Sequence, residues 1–403
     1  MGKAAFKPGT LGENNRSNNT LFLISVILLW GLGLFTLLIS TTDTAERIFK
    51  TESKYYFVIR QVVYSIIGFV LFFVATVIPL KFIRKLLGLG VVIVLILCIL
   101  PVIGLGRGES HGAARWLSIP HLGKFQPSEF VKPAIVLFLA NLIDKSMERG
   151  DFNSGDSWLY PAIGLVSFSA VIILQKDLST AVLILTVGII ILFVTGARLT
   201  WVIPMVILGL FAIGIFVVME PYRLNRMIAF LKPGEYTLSL DYQRTQSNFV
   251  ISSGGFWGTG LGTGMSSLNI PEIQTDYIFS GWTNAMGLVG VIAYFLLLGF
   301  FAWRGYVISS VCRNRFASYV AFGCTTMILL QSIMNIGVVS GLFPTTGIPL
   351  PFFSSGGTSL ITTFVMCGLV INACNCDEEE NVYSARKKLG GLKTFDGALN
   401  ADE

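Results

Sequence analysis

Charged residues are scarce in this chain. Only 13% of its 403 residues are Asp, Glu, Lys or Arg, whereas 53% are hydrophobic. A soluble domain carries about twice that share of charge, so the composition excludes a soluble enzyme and indicates an integral membrane protein. The net charge of +6 is small and spread over loops. It therefore favours contact with anionic lipid head groups and not with nucleic acid.

Histidine and cysteine are also few. The two histidines, His111 and His121, have neither the partners of a catalytic triad nor the spacing of a zinc site. The six cysteines fall in apolar spans or on the side predicted below to be cytoplasmic, so no thiol is expected in an oxidising compartment. Cys374 and Cys376 have no further ligands nearby and are interpreted as membrane-edge thiols, not as a metal pair.

Long apolar runs are what the chain has in abundance. About 20 consecutive apolar residues cross the roughly 30 Å hydrocarbon core of a bilayer. We predict an all-α polytopic membrane protein with about ten transmembrane helices, near residues 21–41, 57–79, 86–105, 127–143, 159–175, 178–196, 200–219, 277–303, 317–342 and 356–374.

The distribution of Lys and Arg predicts the orientation of these spans. With a cytoplasmic N-terminus, the inner segments hold 16 of the 29 cations, and these include Lys81, Arg84, Lys85 and Arg304. The predicted organisation is a cytoplasmic tail at 1–20, a membrane domain at 21–374 with an extracytoplasmic loop at 220–276 between spans 7 and 8, and a cytoplasmic tail at 375–403.

Polar residues within the spans are functional candidates, because a charge there costs about 3 kcal/mol. Glu129 and Lys132 are one helical turn apart, so they either neutralise each other at a helix entrance or serve a function. Asp177 is suited to a site and equally to capping the sixth span. Gln331 and Asn335 could hydrogen-bond a substrate or a neighbouring helix.

The outer loops add cations and broken backbone. Arg115 can bind a phosphate bidentately while the adjacent Trp116 anchors at the membrane interface, and the long loop contributes Arg223 and Arg226. Its glycine-rich passage indicates either a re-entrant or a tightly turned loop. Residues 344–359 carry three prolines within an apolar context, which predicts a broken, protein-buried segment that dips into the membrane.

Several motifs occur in order along residues 20–375: Gly112 to Trp116, Gln126 to Glu129 with Lys132, Gln175 to Thr180, Ser253 to Gly255, Pro271 to Phe279, and Asn335 to Val338 followed by Pro344 to Gly357. Together they resemble the SEDS proteins (shape, elongation, division and sporulation), which include FtsW, RodA and SpoVE. The spacing between Gly262 and Pro271 is more similar to FtsW than to RodA.

The resemblance implies a peptidoglycan polymerase that joins lipid II units on the outer face of the bacterial cytoplasmic membrane. It also implies a class B penicillin-binding transpeptidase and other division or elongation membrane proteins as partners. Asp276 matches the catalytic aspartate of the family. The chain departs from the family pattern at Gln274, where His is usual, and at Thr283 to Gly287, where the usual acidic pair is missing.

The expected chemistry needs one base and several cations. Asp276 would accept the proton of the attacking sugar hydroxyl, and the leaving diphosphate needs positive charge in place of a second carboxylic acid. Either Asp276 or Glu272 could also hold Mg²⁺ or Mn²⁺ against the diphosphate. The predicted substrate-binding residues are Arg115, Glu129, Lys132, Asp177, Arg223, Arg226, Glu272, Gln331 and Asn335.

Two other functions remain open from the sequence. Arg60, Glu129, Lys132 and Asp177 could form a polar path that flips lipid II across the membrane, with the Pro- and Gly-broken segment as its gate. The chain could also be a scaffold without catalytic activity that recruits the transpeptidase.

Overall fold

The structure is a computed structural model that describes residues 15–48, 55–104, 115–119, 123–152, 159–232, 242–260 and 270–375. The described helices are α1 (Asn15–Ile48), α2 (Tyr56–Val77), α3 (Leu80–Ile99), α4 (Ser128–Arg149), α5 (Leu159–Leu174), α6 (Leu178–Val194), α7 (Leu199–Met219), α8 (Pro221–Leu231), α9 (Tyr242–Gly254), α10 (Ile278–Val311), α11 (Arg315–Val339) and α12 (Gly357–Asn375). A short antiparallel hairpin pairs β1 (Leu117–Ile119) with β2 (Gly123–Phe125).

Each of the ten predicted spans coincides with one of these helices, namely α1 to α7 and α10 to α12. Among the described residues, seven helices are long and apolar enough to cross a membrane: α1, α2, α3, α7, α10, α11 and α12. Helices α5 and α6 are apolar but shorter, and α4 carries Glu129, Lys132 and Asp144 in its buried face. The all-α polytopic fold class is therefore confirmed.

Four helices, α1, α3, α4 and α10, differ from their predicted spans by six or more residues at one end or at both. Helix α3 begins at Leu80 instead of residue 86, so Lys81, Arg84 and Lys85 lie in its first turns and not in a loop. Helix α10 continues to Val311, so Arg304 lies within it. The predicted spans of α3 and α10 stopped at these cations because the prediction followed apolar residues only. Lys and Arg favour the helix and lay their methylene stems along apolar surface, so both helices continue through them.

Helix ends that were predicted to share a side of the membrane are in contact. Asn19 Nδ2 donates to Asn375 Oδ1 at 2.8 Å, which joins the start of α1 to the end of α12. Arg84 at the start of α3 pairs with Asp144 near the end of α4 at 2.8 Å. We call this side the Asn19 end, and the side with the start of α10 the Asp276 end. Which of them is cytoplasmic stays a prediction.

The prediction of a broken, buried segment at 344–359 is confirmed in part, because helix α12 already begins at Gly357 and the non-helical stretch is 340–356. Within this stretch, Ile348 and the residues from Leu350 to Ser354 are buried. Helix α1 closes over this segment at Gly33, where a methyl group would lie 2.3 Å from the Phe352 carbonyl oxygen. A side chain at this position would push α1 away from the segment.

The long loop at 220–276 is more structured than the sequence indicated, because it contains α8 and α9. Its residues 233–241 and 261–269 lie outside the described residues. So do the motif residues Gly112 to Ala114, both histidines, Cys376 and both predicted tails except for residues 15–20 and Asn375.

Candidate active site

Asp276 ends a tight turn immediately before α10. The backbone N–H groups of Thr275 and Asp276 both donate to the Glu272 carbonyl oxygen at 3.1 Å. Glu272 has a positive φ of 58°, and its Oε2 accepts from Thr275 Oγ1 at 3.1 Å and from Gln274 Nε2 at 3.2 Å. The Glu272 carboxylate is therefore engaged within the turn, and the departure from the family at Gln274 supplies one of its donors.

The broken segment holds this turn from below. Ser354 Oγ donates to the Thr275 carbonyl oxygen, and the Ser355 N–H donates to the Gln274 carbonyl oxygen at 2.8 Å. Asn335 Nδ2 donates to the Asp276 carbonyl oxygen at 2.9 Å and to that of Ile348 at 2.8 Å. Asn335 therefore positions the backbone of Asp276. The sequence did not predict this role, because it depends on which carbonyl groups lie beside the amide in the fold.

Ser354 and Gln61 are residues whose role the sequence reasoning missed. Gln61 Nε2, on α2, donates to the Ser354 carbonyl oxygen at 3.0 Å, and both residues are buried. In the sequence, each of them is a polar residue in an apolar context. That pattern does not predict which residue either one contacts, because 293 residues separate the two in the chain.

The Asp276 carboxylate is only partly buried, and none of the described residues donates a hydrogen bond to it. Its pKa is raised to about 7, chiefly by burial and next by the negative charge of Glu272. The positive charges of Arg226 and Arg115 oppose this rise. Such a carboxyl group exchanges a proton near neutral pH, as a general base requires.

Arg115 faces the same space as Asp276. A methyl group on Gly347 would lie 3.6 Å from Asp276 Oδ2 and 3.9 Å from Arg115 Nη1. Because glycine has no side chain, the space between the carboxylate and the guanidinium stays open. Arg115 is held there by a hydrogen bond to the Lys176 carbonyl oxygen and by Asp177 Oδ1, 3.9 Å from its Nη1.

Asp177 is both an N-cap and part of the cluster. Its carboxylate accepts from the Thr180 N–H at 3.3 Å and from Thr180 Oγ1 at 2.9 Å, which confirms the capping alternative for α6. Gln126 Nε2 also donates to it at 3.2 Å. With its oxygens engaged in this way, Asp177 orients Arg115 and is not itself available as a base.

Helix α8 contributes two more arginines. Arg226 Nη1 donates to the Thr345 carbonyl oxygen at 3.3 Å, which ties α8 to the broken segment. Arg223 Nη1 donates to the Phe216 carbonyl oxygen at 3.3 Å. The pKa of Arg223 is lowered, chiefly by burial, and the positive charge of Arg115 lowers it further while Glu220 opposes the change. The two guanidinium groups of Arg223 and Arg115 are therefore electrostatic neighbours.

Glu129, Lys132 and Gln331 form a separate buried network. Lys132 Nζ donates to both Glu129 carboxylate oxygens at 2.8 and 2.7 Å and to Gln331 Oε1 at 2.9 Å. Gln331 Nε2 then donates to the Pro349 carbonyl oxygen at 2.8 Å. Each side chain is 1% exposed, so the geometry favours mutual neutralisation over direct contact with a substrate. Substrate binding by these three residues stays a prediction.

The structure therefore brings six predicted site residues together at the Asp276 end: Arg115, Asp177, Arg223, Arg226, Glu272 and Asp276. Asn335 touches the site through the backbone of Asp276. In the part of the chain that the structure describes, no three His, Cys, Asp or Glu side chains are grouped as metal ligands.

Comparison with known proteins gives consistent matches over most of the chain. A family model described as "Cell cycle protein", covering FtsW, RodA and SpoVE, matches residues 19–379. A probable peptidoglycan glycosyltransferase FtsW of Geobacter metallireducens is 33% identical over 354 residues, which cover 86% of this chain and 93% of the relative. Stage V sporulation protein E of Bacillus subtilis is 34% identical over 365 residues, covering 88% and 96%.

A solved structure, described as "Structural coordination of polymerization and crosslinking by a peptidoglycan synthase complex", contains a chain with the same fold. That chain aligns with a TM-score of 0.69 and 27% identity over 88% of this chain and 96% of its own length. The chain therefore belongs to the FtsW, RodA and SpoVE family of cell cycle proteins.

Proposed function

We propose that this protein is a peptidoglycan glycosyltransferase that polymerises lipid II during cell division. The single observation that carries the proposal is the shared space beside Gly347, which the Asp276 carboxylate and the Arg115 guanidinium both face. A base and a cation beside the same space suit a reaction in which a proton is removed while an anionic group leaves. The relatives named peptidoglycan glycosyltransferase support the same activity.

In the proposed reaction, the 4-hydroxyl oxygen of the acceptor sugar forms a bond to the anomeric carbon of the donor. The hydroxyl proton passes to the Asp276 carboxylate. The bond between that carbon and the diphosphate oxygen breaks, and its electron pair leaves with the diphosphate. Arg115, Arg226 and Arg223 stabilise the negative charge that develops there. One displacement inverts the configuration, so an α-linked donor yields a β-linked glycan.

The remaining parts of the proposal concern partners and environment. A class B penicillin-binding transpeptidase would cross-link the strands that this protein makes, which fits the similarity to a chain of a peptidoglycan synthase complex. The Asp276 end would face outward from the bacterial cytoplasmic membrane. Asp276 or Glu272 could hold Mg²⁺ or Mn²⁺, which would supply further positive charge to the diphosphate; a metal held by Glu272 leaves Asp276 available as the base.

Replacement of Asp276 by Asn tests the proposal. The purified protein, reconstituted with its transpeptidase partner and given lipid II, should lose glycan synthesis in Asp276→Asn, because an amide cannot accept the proton. The matched control is Asp151→Asn, which changes a carboxylate just after the end of α4 and should retain activity. Parallel reactions with Mg²⁺, Mn²⁺ or a chelator test the metal. Normal polymer from Asp276→Asn would refute the proposed base.

A further inference from the structure

Helix α9 descends beside the helix bundle from the Asp276 end. In the middle of α9, Ser247 Oγ donates to the Val339 carbonyl oxygen at the end of α11, at 3.0 Å. At its last residue, Gly254, a methyl group would lie 2.5 Å from the Thr283 carbonyl oxygen. The middle of α9 is therefore level with the end of α11, and its last residue lies against the second turn of α10.

The turn after α9 pairs with α10 well below the start of that helix. Thr259 N–H donates to the Asn284 carbonyl oxygen at 2.9 Å, and the Leu288 and Val289 N–H groups donate to the carbonyl oxygens of Gly255 and Phe256 at 3.0 and 3.3 Å. Helix α10 begins at Ile278. At 1.5 Å per residue, Asn284 lies about 9 Å along the helix and Leu288 lies further along the chain, which places the turn at hydrocarbon depth if α10 spans the bilayer.

The pairing satisfies backbone groups on both partners. Helix α10 is broken at Gly287, with φ 61° and ψ −161°, and the turn pairs with carbonyl and N–H groups on both sides of that break. Close approach needs glycine at Gly258, where a methyl group would lie 2.1 Å from the Ala285 carbonyl oxygen. In hydrocarbon an unpaired backbone group costs several kcal/mol. A turn embedded in lipid therefore requires backbone hydrogen bonds of this kind.

Asn284 locks the arrangement through its side chain. Its Nδ2 donates to the Val250 carbonyl oxygen at 3.0 Å and to Ser253 Oγ at 2.7 Å, and its Oδ1 accepts from Thr259 Oγ1 at 3.0 Å. A carboxylate could not donate the first of these bonds. The residue that replaces an acidic family position in this chain is therefore suited to holding α9 and its turn.

The tip of the turn is apolar and outward-facing. Trp257 is 78% exposed and Phe256 is 55% exposed, and the two rings contact each other edge to face. The turn pairs through its backbone with Leu288 and Val289 of α10, whose side chains are exposed, as is that of Ile292 one turn further on. Residues 245–260 contain no Asp, Glu, Lys or Arg. A loop that lies in water has no need of an uncharged surface with an exposed apolar tip.

We propose that Tyr242–Gly260 form a re-entrant hairpin whose tip, Phe256 and Trp257, lies in the hydrocarbon of the bilayer. The occupant is lipid because the tip continues the apolar outer face of a membrane-spanning helix at the same depth. This inference concerns the environment of the segment and does not depend on the proposed reaction.

Accessibility of a nitroxide spin label tests the proposal on the full chain in vesicles of phosphatidylethanolamine and phosphatidylglycerol. Labels are placed at Thr245→Cys, Phe249→Cys and Trp257→Cys, a ladder from the start of α9 to the tip. Leu296→Cys on α10 is the lipid reference, and Lys124→Cys in the hairpin of β1 and β2 is the aqueous reference. The unsubstituted chain measures background labelling, which should be low because its described cysteines are buried.

Accessibility to a water-soluble nickel chelate should fall from position 245 to position 257, and accessibility to oxygen should rise until position 257 matches Leu296→Cys. Phe256→Cys is the second tip position if Trp257→Cys fails to fold. Two results overturn the proposal. One is a tip as accessible to nickel as Lys124→Cys, which places it in water. The other is a tip that neither probe reaches, which places it against protein.

Discussion

At the scale of single residues, the protonation state of Asp276 controls what the site can do. Its pKa of about 7 means that the carboxyl group is about half ionised at neutral pH, and only the ionised form can accept a proton. Burial and Glu272 raise this pKa, whereas Arg226 and Arg115 lower it. The two arginines therefore have a second role besides the proposed binding of diphosphate, because they keep the proposed base ionised at neutral pH.

The first residue-scale prediction concerns pH. The turnover number at saturating lipid II should fall about tenfold per pH unit below pH 7, because the ionised fraction of Asp276 falls by that factor. Arg226→Gln removes a charge that lowers the pKa of Asp276, so this acid limb should shift to higher pH and activity should recover in alkaline buffer.

The matched control is Arg223→Gln on the same helix. The charges that act on Arg223 are those of Glu220, Arg115 and Asp177, so its loss should shift the acid limb less than the loss of Arg226. Equal shifts in the two variants, or an unshifted limb in Arg226→Gln, would contradict the assignment. Turnover measured across pH 5 to 9 provides the comparison.

At the scale of elements, the broken segment between α11 and α12 supports the turn that ends at Asp276. Ser354 connects the two: its Oγ donates to the Thr275 carbonyl oxygen and accepts from the Leu350 N–H at 2.7 Å. Asn335 and Gln331 pin the segment to α11 through the carbonyl oxygens of Ile348 and Pro349. Helix breaking by proline and glycine thus serves to place backbone groups under Asp276.

The element-scale prediction follows from this contact. Ser354→Ala removes the partner of the buried Leu350 N–H, which costs about 1–3 kcal/mol, and the bond to the partly buried Thr275 carbonyl oxygen, so turnover and the melting temperature should both fall. Ser355→Ala is the control, because Ser355 reaches the turn through its backbone N–H, and it should leave both quantities nearly unchanged. Lipid II polymerisation and thermal unfolding in detergent measure them. The same loss in both variants would remove the special role of the Ser354 hydroxyl.

At the scale of the whole molecule, the two ends of the bundle differ in chemistry. The Asp276 end gathers arginines and carboxylates around an open space. At the Asn19 end the charged groups pair tightly, as Arg84 does with Asp144 and with Asn141, whose Oδ1 accepts from Arg84 Nε at 2.8 Å. A substrate with a diphosphate head group would therefore find clustered positive charge beside Asp276.

The whole-molecule prediction is the orientation of the chain. Green fluorescent protein fused after Glu403 should fluoresce, because we expect the C-terminus in the cytoplasm. A fusion truncated after Met219, at the end of α7, should be dark, whereas alkaline phosphatase at the same position should be active. The reverse pattern would place Asp276 on the cytoplasmic side and would contradict polymerisation on the outer face.

The sequence by itself determined the helical membrane fold and the candidate base. Apolar runs of bilayer length leave the backbone few other solutions, and Asp276 is singled out by the resemblance of Pro271 to Phe279 to the family motif, at the point where a polar loop meets an apolar span. The tertiary structure alone decided which candidates meet. It placed Arg115 and Arg226 beside Asp276 and joined Glu129, Lys132 and Gln331 in a network of their own.

The tertiary structure also decided the environment of each polar group. The raised pKa of Asp276 depends on burial and on charges brought from distant parts of the chain, and the descent of α9 beside α10 depends on a backbone break at Gly287. Periodicity and composition carry no information about either, because both arise from contacts between residues that are far apart in the sequence.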